Sequence, residues 1–252
     1  MQKKESFDTA AALYDEIRPG YERFIIDYII QQTHLTMSDP ILEIAPGTGQ
    51  ATMAFAQKGY SIDAVELGPN LAAILEEKSK DYDVNVMVSP FESWQSQKTY
   101  KMIMCATAFH WLDESIKYSK CYDLLDDQGH LVLIWHVAKD GNDQRIQKAY
   151  EYLFSLSDRA KPNPIDLHQV RYQAIEKSGY FKIISDLDHP WTFKQEMIKF
   201  KKGFCSQSSY LSLADDKKDL MQKYMNKLFP NNEEMIESLF HTSVYIMKKE
   251  RK

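Results

Sequence analysis

Apolar residues recur in residues 21–30 at Tyr21, Phe24, Ile25, Tyr28 and Ile29. That i, i+3, i+4, i+7, i+8 spacing is one face of an amphipathic helix. After "SDP" at 38–40 the pattern changes to short apolar runs. Ile41 to Ala45 reads as a strand. Thr48 to Lys58 reads as a helix with Ala51, Ala54 and Phe55 on one face. "YSIDAVEL" at 60–67 is a second strand, and Asn70 is placed to cap a helix carrying Leu71, Ile74 and Leu75. "VNVMV" at 84–88 and "YKMIMCATA" at 100–108 give two more strands. A helix follows over roughly 113–125, then the nearly continuous apolar strand "GHLVLIWHV" at 129–137. Strands alternating with helices imply a parallel sheet covered on both faces.

The rhythm changes in the second half. Residues 142–157 predict a helix with Ile146, Ala149, Tyr150, Leu153 and Phe154 on one stripe. "KPNP" at 161–164 breaks the chain before a helix near 165–178 and a strand near 181–193. Residues 195–240, rich in Lys, Met and aromatics, read as several helices, and "TSVYIMKK" at 242–249 as a last strand. The 252 residues suit one α/β domain with a decorated edge.

Charge narrows the partners. A net charge of −5 does not provide the basic footprint of a general nucleic-acid binder. Local basic runs (Lys199, Lys201 and Lys202; Lys248 to Lys252) read as solvated surface. The 3 cysteines include no CxxC pair, so neither a disulfide framework nor a zinc site follows, and no metal is expected. A reduced cytoplasmic setting is the simplest expectation. No signal-peptide core is found in the first twenty residues, and no apolar run is long enough to span a bilayer.

The chemistry is concentrated in "ILEIAPGTGQ", 41–50, where a strand ends and a helix begins. Such a turn is where a doubly wound sheet binds a nucleotide. A P-loop needs Gly-Lys-Ser/Thr, but Gly49 is followed by Gln50, Ala51 and Thr52. A dinucleotide fingerprint needs a small third residue, and aligned on Ala45 and Gly47 that position is Gln50. The remaining form is E/D-x-G-x-G-x-G, for which "EIAPGTG" supplies Glu43, Ala45, Gly47 and Gly49, with Pro46 and Thr48 between them.

At this point the chain resembles the class I S-adenosylmethionine-dependent methyltransferases. Glu66 in "AVEL", followed by Leu67, stands where that family holds the ribose hydroxyls. "SPFESW" at 89–94, with Pro90, Phe91 and Glu92, is similar to its adenine-reading stretch. "ATAFHWLD" at 106–113 resembles the "A-x-A-x-HW" stretch of the small-molecule, trans-aconitate methyltransferase-like branch, and "YDEIRPGY" at 14–21 its opening. "LLDDQGHLVLIW" at 124–135 is similar to the family's turn and fifth strand. Departures are Ala45 for a glycine, Lys101 for an aspartate and His130 for a glycine. The match covers about residues 7–137.

The resemblance implies a Rossmann-like doubly wound seven-stranded, mostly parallel sheet, with an antiparallel last strand and helical insertions capping the cleft. It implies one domain over 1–252. Residues 1–35 would be an N-terminal helical lid and 36–140 the cofactor-binding half. Residues 141–252 would carry a helical substrate cap at about 195–240. The cofactor would be S-adenosyl-L-methionine, converted to S-adenosyl-L-homocysteine.

Its sulfonium methyl is already activated, so the protein's main task is to position an acceptor in line with it. The implied cofactor contacts are Glu43, Ala45 to Gly49, Glu66, Leu67, Pro90 to Glu92, Ala106, Thr107, Ala108 and Trp111. Tyr14 and Arg18 would add contacts from the lid. Glu92 reads equally as an exposed helix-start acid, and Arg18 as a surface ion pair. Ala45 is expected to keep an ordinary backbone conformation.

His110 is the candidate catalytic base, because imidazole titrates near neutrality; it could instead hydrogen-bond the methionine moiety or orient the loop. The expected partner is a small molecule, methylated on carboxylate or hydroxyl oxygen, with neither nucleic acid nor membrane. The alternatives are an RNA or protein methyltransferase, which the proline-free "ATAFHW" and the acidic charge disfavour, and a non-catalytic cofactor-binding module, to which only Ala45 points. Acceptor identity and oligomeric state are not legible.

Overall fold

A computed structural model describes residues 8, 11–138, 143–157 and 167–250. The predicted break at 161–164 lies outside the described residues. The strands are β1 (Ile41–Ile44), β2 (Ile62–Glu66), β3 (Val84–Val88), β4 (Tyr100–Ala106), β5 (Leu125–Ala138), β6 (Phe181–Glu196) and β7 (Met235–Lys249). They form one seven-stranded sheet in the order β3-β2-β1-β4-β5-β7-β6. The first five are parallel, and β7 runs antiparallel to both β5 and β6. Strand order reverses between β1 and β4, and a crevice opens beyond the carboxyl ends at such a switch.

Side-chain alternation sorts the strands onto two cores. Ile103, Leu131 and Leu133 pack on one face with Tyr118, Cys121 and Leu124 of α5 (Lys117–Leu124) and Ile175 of α7 (Leu167–Ser178). Met102, Met104, Val132 and Ile134 pack on the other with α2 (Arg23–Thr33) and α3 (Gln50–Ala56). This double burial explains why β4 and β5 read as continuous apolar runs. Ile25 and Ile29 of α2 are 0% exposed, worth ~1.5–3 kcal/mol each. The predicted stripe shifts by one position: Ile26 is buried, Phe24 is exposed, and Tyr21 precedes the helix.

A third cluster joins α6 (Gln144–Leu156), α8 (Met197–Cys205) and α10 (Asp215–Leu228) through Leu153, Phe200, Phe204, Met221 and Met225. The short α9 (Ser208–Leu211) completes this cap. The cap is shorter than expected, because its last stretch is strand: β7 begins at Met235 rather than 242. Met235, Glu237 and Leu239 carry good helix formers, yet burial alternates there, with Ile236 and Ser238 inside. Before Phe240, over residues 235–239, only β6 pairs with β7, so a two-stranded ribbon rises out of the sheet to carry the cap. No helix among the described residues is long and apolar enough to cross a membrane.

Asn70 does not cap α4 (Pro69–Ser79). Gly68 is the N-cap residue and Pro69 takes the first helical position, where a missing N–H costs nothing. The capping acceptor comes from 62 residues upstream: Asp8 Oδ1 accepts the N–H groups of Asn70 (2.8 Å) and Leu71 (3.0 Å). This ties the chain before α1 (Ala11–Ile17) to the rim of the crevice. Asp8→Ala is expected to lower stability by ~0.5–2 kcal/mol, read from the urea midpoint; an unchanged midpoint would show that the cap carries no weight.

Candidate functional site at the carboxyl ends of the strands

The turn from β1 to α3 is built on left-handed backbone. Gly47 has φ 61° and Gly49 φ 87°, and a Cβ on Gly49 would lie 2.4 Å from Leu75 Cδ1. Only glycine meets both demands. Ala45 departs from expectation: its φ is 53°, a conformation that costs an L-residue ~1–2 kcal/mol. Thr107, at the end of β4, has φ 61°. Each strained residue is pinned by a neighbouring strand, Ala45 N–H donating to Val65 O (2.8 Å) and Thr107 N–H to Ile134 O (2.7 Å). Strain held in this way flanks the switch point on both sides.

Glu66 closes the turn. Its Oε2 accepts from Gly47 N–H (2.8 Å) and its Oε1 from Gly68 N–H (2.9 Å), and the residue is 4% exposed. Burial raises its pKa above the ordinary value, while the backbone donors pull it back. Leu67 N–H adds a weaker backbone contact, and a carboxylate with about four lone-pair sites keeps acceptor capacity beyond these donors. Leu67 lines the crevice beside it.

Glu43 sits beneath the loop, wholly buried, and does not face the crevice. Thr52 Oγ1 donates to its Oε2 at 2.6 Å, and Oε1 has no hydrogen-bond partner among the described residues. Burial, with the charge of Glu66 adding, pushes its pKa from 4.5 to about 8. Thr48 is buried and accepts from Gln50 Nε2 (2.7 Å); like Gly49 it shapes the turn from behind. Pro90 lies outside the crevice, its carbonyl accepting from Ser93 (3.2 Å) and Trp94 (3.0 Å).

The other expected residues line one cavity of about 1030 Å³. Ala45, Pro46 and Gly47 contribute the loop, Phe91 and Glu92 the turn after β3, and Ala106, Thr107 and Ala108 the end of β4. Glu92 Oε1 accepts from Asp113 N–H (3.3 Å), linking the turns after β3 and β4. Tyr14 and Arg18 close over the loop from α1 and its end. The Tyr14 ring comes within 3.6 Å of a Cβ built on Gly47, and the Arg18 guanidinium lies 4.9 Å over that ring. Arg18 Nε is buried with no acceptor among the described residues.

His110 and Trp111 lie in a single 3-10 turn after β4 and face the same cavity. Trp135 Nε1 donates to His110 Nδ1 (3.3 Å), which leaves the ring proton on Nε2. Desolvation by the surrounding walls, with the charges of Arg171 and Lys117 adding, lowers the His110 pKa to about 4. At neutral pH the ring is uncharged and offers the cavity an N–H donor.

Several site residues carried no local signal in the sequence. Lys120 Nζ donates to the carbonyls of Phe91 (2.6 Å), Glu92 (3.2 Å) and Trp94, and so pins the turn after β3. Tyr21, read as part of a helix stripe, stacks on His136 at 4.2 Å and shares a 3.3 Å hydrogen bond with Thr107. Arg171 and Trp135 enter the cavity from α7 and β5. Phe193, Leu239 and Phe240 enter from the β6–β7 ribbon, and Tyr150 and Phe204 from the cap.

A sheet of this order with a nucleotide cradle at its switch point has the class I methyltransferase fold. Residues 41–129 match the sequence model of a methyltransferase domain. The chain is 29% identical over 140 residues to an uncharacterised methyltransferase-like protein of Schizosaccharomyces pombe, covering 54% of this chain and 53% of the relative. The match thus spans about half the length of that relative. Coclaurine N-methyltransferase, solved with N-methylheliamine and S-adenosylhomocysteine, superposes with TM-score 0.52 at 15% identity, over 89% of this chain and 71% of that one. The [4+2]-cyclase SpnF superposes with TM-score 0.62 at 12% identity, over 98% and 95%. The fold is therefore shared with a protein named for another reaction. Residues 41–129 thus match a methyltransferase domain, and the cofactor that such a domain on this fold implies is S-adenosylmethionine.

The residues present fit that cofactor. The loop has no Cβ at Gly47 or Gly49, Glu66 has free acceptor capacity for ribose hydroxyls, and the buried Arg18 Nε lacks the anion that a methionine carboxylate would supply.

Glu43 provides a test of the buried wall. Its protonated form suits the fold, so stability is fully retained below 4.5 and is lost as pH rises through about 8, because only the unfolded chain ionises freely. Glu43→Gln does not titrate. Its melting temperature relative to the parent should therefore rise between pH 5 and pH 8; a pH-independent difference would contradict the buried neutral acid.

Proposed function

We propose that the protein is a small-molecule methyltransferase that methylates a carboxylate or hydroxyl oxygen, in a reduced cytoplasmic setting. The observation that carries this reading is the continuity of one cavity. A nucleotide cradle forms one end, and aromatic walls from the cap and the β6–β7 ribbon form the other. The resemblance of "ATAFHW" and "YDEIRPGY" to the trans-aconitate methyltransferase-like branch supports the same reading.

S-Adenosylmethionine, when bound, supplies a methyl group activated on sulfonium. The chain's residues position and enclose. Glu66 holds the ribose, Gly47 and Gly49 let the backbone approach, Phe91 and Glu92 flank the base, and Arg18 with Tyr14 covers the carboxylate end. Ala106 to Ala108 form the floor towards the acceptor, and Trp111 a wall. His110 serves as a hydrogen-bond donor that orients the acceptor rather than as the base, because its Nδ1 lone pair is already engaged. A carboxylate acceptor needs no base. The roofed aromatic pocket and the charge of −5 favour a small molecule over RNA or protein.

Calorimetry should show saturable binding of S-adenosylhomocysteine, and folded protein that binds neither it nor S-adenosylmethionine would refute the reading. Glu66→Ala should weaken that binding by ~1.5–3 kcal/mol, the worth of hydrogen bonds to a charged group, and an unchanged affinity would remove Glu66 from the site.

A further inference from the structure

The acceptor half of the cavity is walled by aromatic rings, Trp135, Tyr150, Phe193, Phe204 and Phe240 among them. Among the described residues one cation stands in this part of the wall. Arg171, on α7, lays its guanidinium 4.4 Å over the Trp135 ring, and its Nη1 is buried with no hydrogen-bond acceptor among the described residues. A buried donor that has left water without gaining an acceptor is a cost the protein alone does not recover.

The neighbouring groups do not supply that acceptor. Asp188 shares the cavity wall, but it accepts from His241 Nδ1 (2.8 Å) and Ser243 Oγ (3.0 Å) and forms no ion pair with Arg171. The Tyr245 hydroxyl donates to His168 O at 2.9 Å and accepts from the Arg171 side chain, but Nη1 is left without an acceptor among the described residues. His110 faces the same cavity, close enough for the Arg171 charge to lower its pKa, and its Nε2–H is a second donor. The two residues present donors and a positive charge to the same space.

The cavity thus holds two guanidiniums with unmatched buried nitrogens, one towards each end. Arg18 stands over Tyr14, which lies against Gly47 of the cofactor loop. The cofactor brings a single carboxylate, which Arg18 accounts for. Arg171 lies beyond β4, beside Trp135 and His110, and is left for a different anion.

Resting on the methyl-transfer reading above, we propose that Arg171 is an anion-recognition residue of the acceptor subsite. It binds a singly charged oxyanion, a carboxylate, that serves as a handle separate from the atom that receives the methyl. The planar fork matches a carboxylate edge, and stacking on Trp135 fixes its plane. An oxygen whose lone pairs are held by a guanidinium is a poor nucleophile, so the held group is not the methylated one. A single guanidinium beside a neutral imidazole, with the Asp188 carboxylate in the same wall, favours one negative charge on the ligand over two.

The test is calorimetric titration of the full chain, saturated with S-adenosylhomocysteine, using 3-phenylpropionate, its primary amide and 2-phenylethyl phosphate as probes. The acid should bind at least tenfold tighter than the amide. Arg171→Gln should erase that preference while leaving S-adenosylhomocysteine affinity within twofold, and Arg171→Lys should fall between. Acid and amide binding alike, absence of acid binding, or an unchanged preference in Arg171→Gln would overturn the proposal. Tighter binding of the phosphate, lost in Arg171→Gln, would overturn the carboxylate assignment. Loss of S-adenosylhomocysteine affinity in Arg171→Lys would move Arg171 to the cofactor. If the parent protein binds no S-adenosylhomocysteine, the methyl-transfer reading fails, and the same titration without it still decides whether Arg171 holds an anion. Should Arg171→Gln not fold, Arg171→Lys against the acid–amide pair decides.

Discussion

The Glu66 carboxylate, bonded at once to the N–H groups of Gly47 and Gly68, is the link on which the site depends. It joins the turn after β1 to the turn after β2, so the cradle is a property of two strands rather than of one loop. Burial makes those two bonds matter more than they would in water, because the carboxylate has few competing partners. It also puts the acceptor lone pairs that remain on Glu66 at the mouth of the crevice, where a diol would meet them.

The strained turns at Ala45 and Thr107 follow from the same arrangement. Both lie where strands adjacent in the sheet diverge into loops, and both are held by a carbonyl of a neighbouring strand. The sheet interior is buried on both faces and tolerates little movement, so it can hold such backbone without relaxing. The opposite wall is made differently. The β6–β7 ribbon leaves the sheet, and a cap with its own core of Leu153, Phe200, Phe204, Met221 and Met225 packs at its far end. One end of the cavity is thus set by the sheet and the other by a separately packed unit.

Much of the sheet and of the turns at its carboxyl ends was legible because its signals are local. Strands buried on both faces read as apolar runs, and Gly47 and Gly49 mark left-handed turns by residue type alone. Glu66 was legible from its place at the end of an apolar run. The conformation of Ala45 was not, since its strain is imposed by Val65 from another strand. Nor was the cap on α4, which Asp8 supplies from far upstream. Lys120, Trp135, His136 and Arg171 carry no local pattern; topology alone brings them together. The start of β7 was misread because Met, Glu and Leu favour helices in isolation, and pairing with β6 overrides that preference.

The central claim is that the turns after β1, β2 and β4 and the α1 segment close around one ligand. Hydrogen–deuterium exchange with and without S-adenosylhomocysteine tests it most directly. Protection should rise together in residues 11–18, 44–51, 65–71 and 106–112, with β6 beyond the ribbon unchanged. Protection confined to the cap, or absent from the loop at 44–51, would contradict the account.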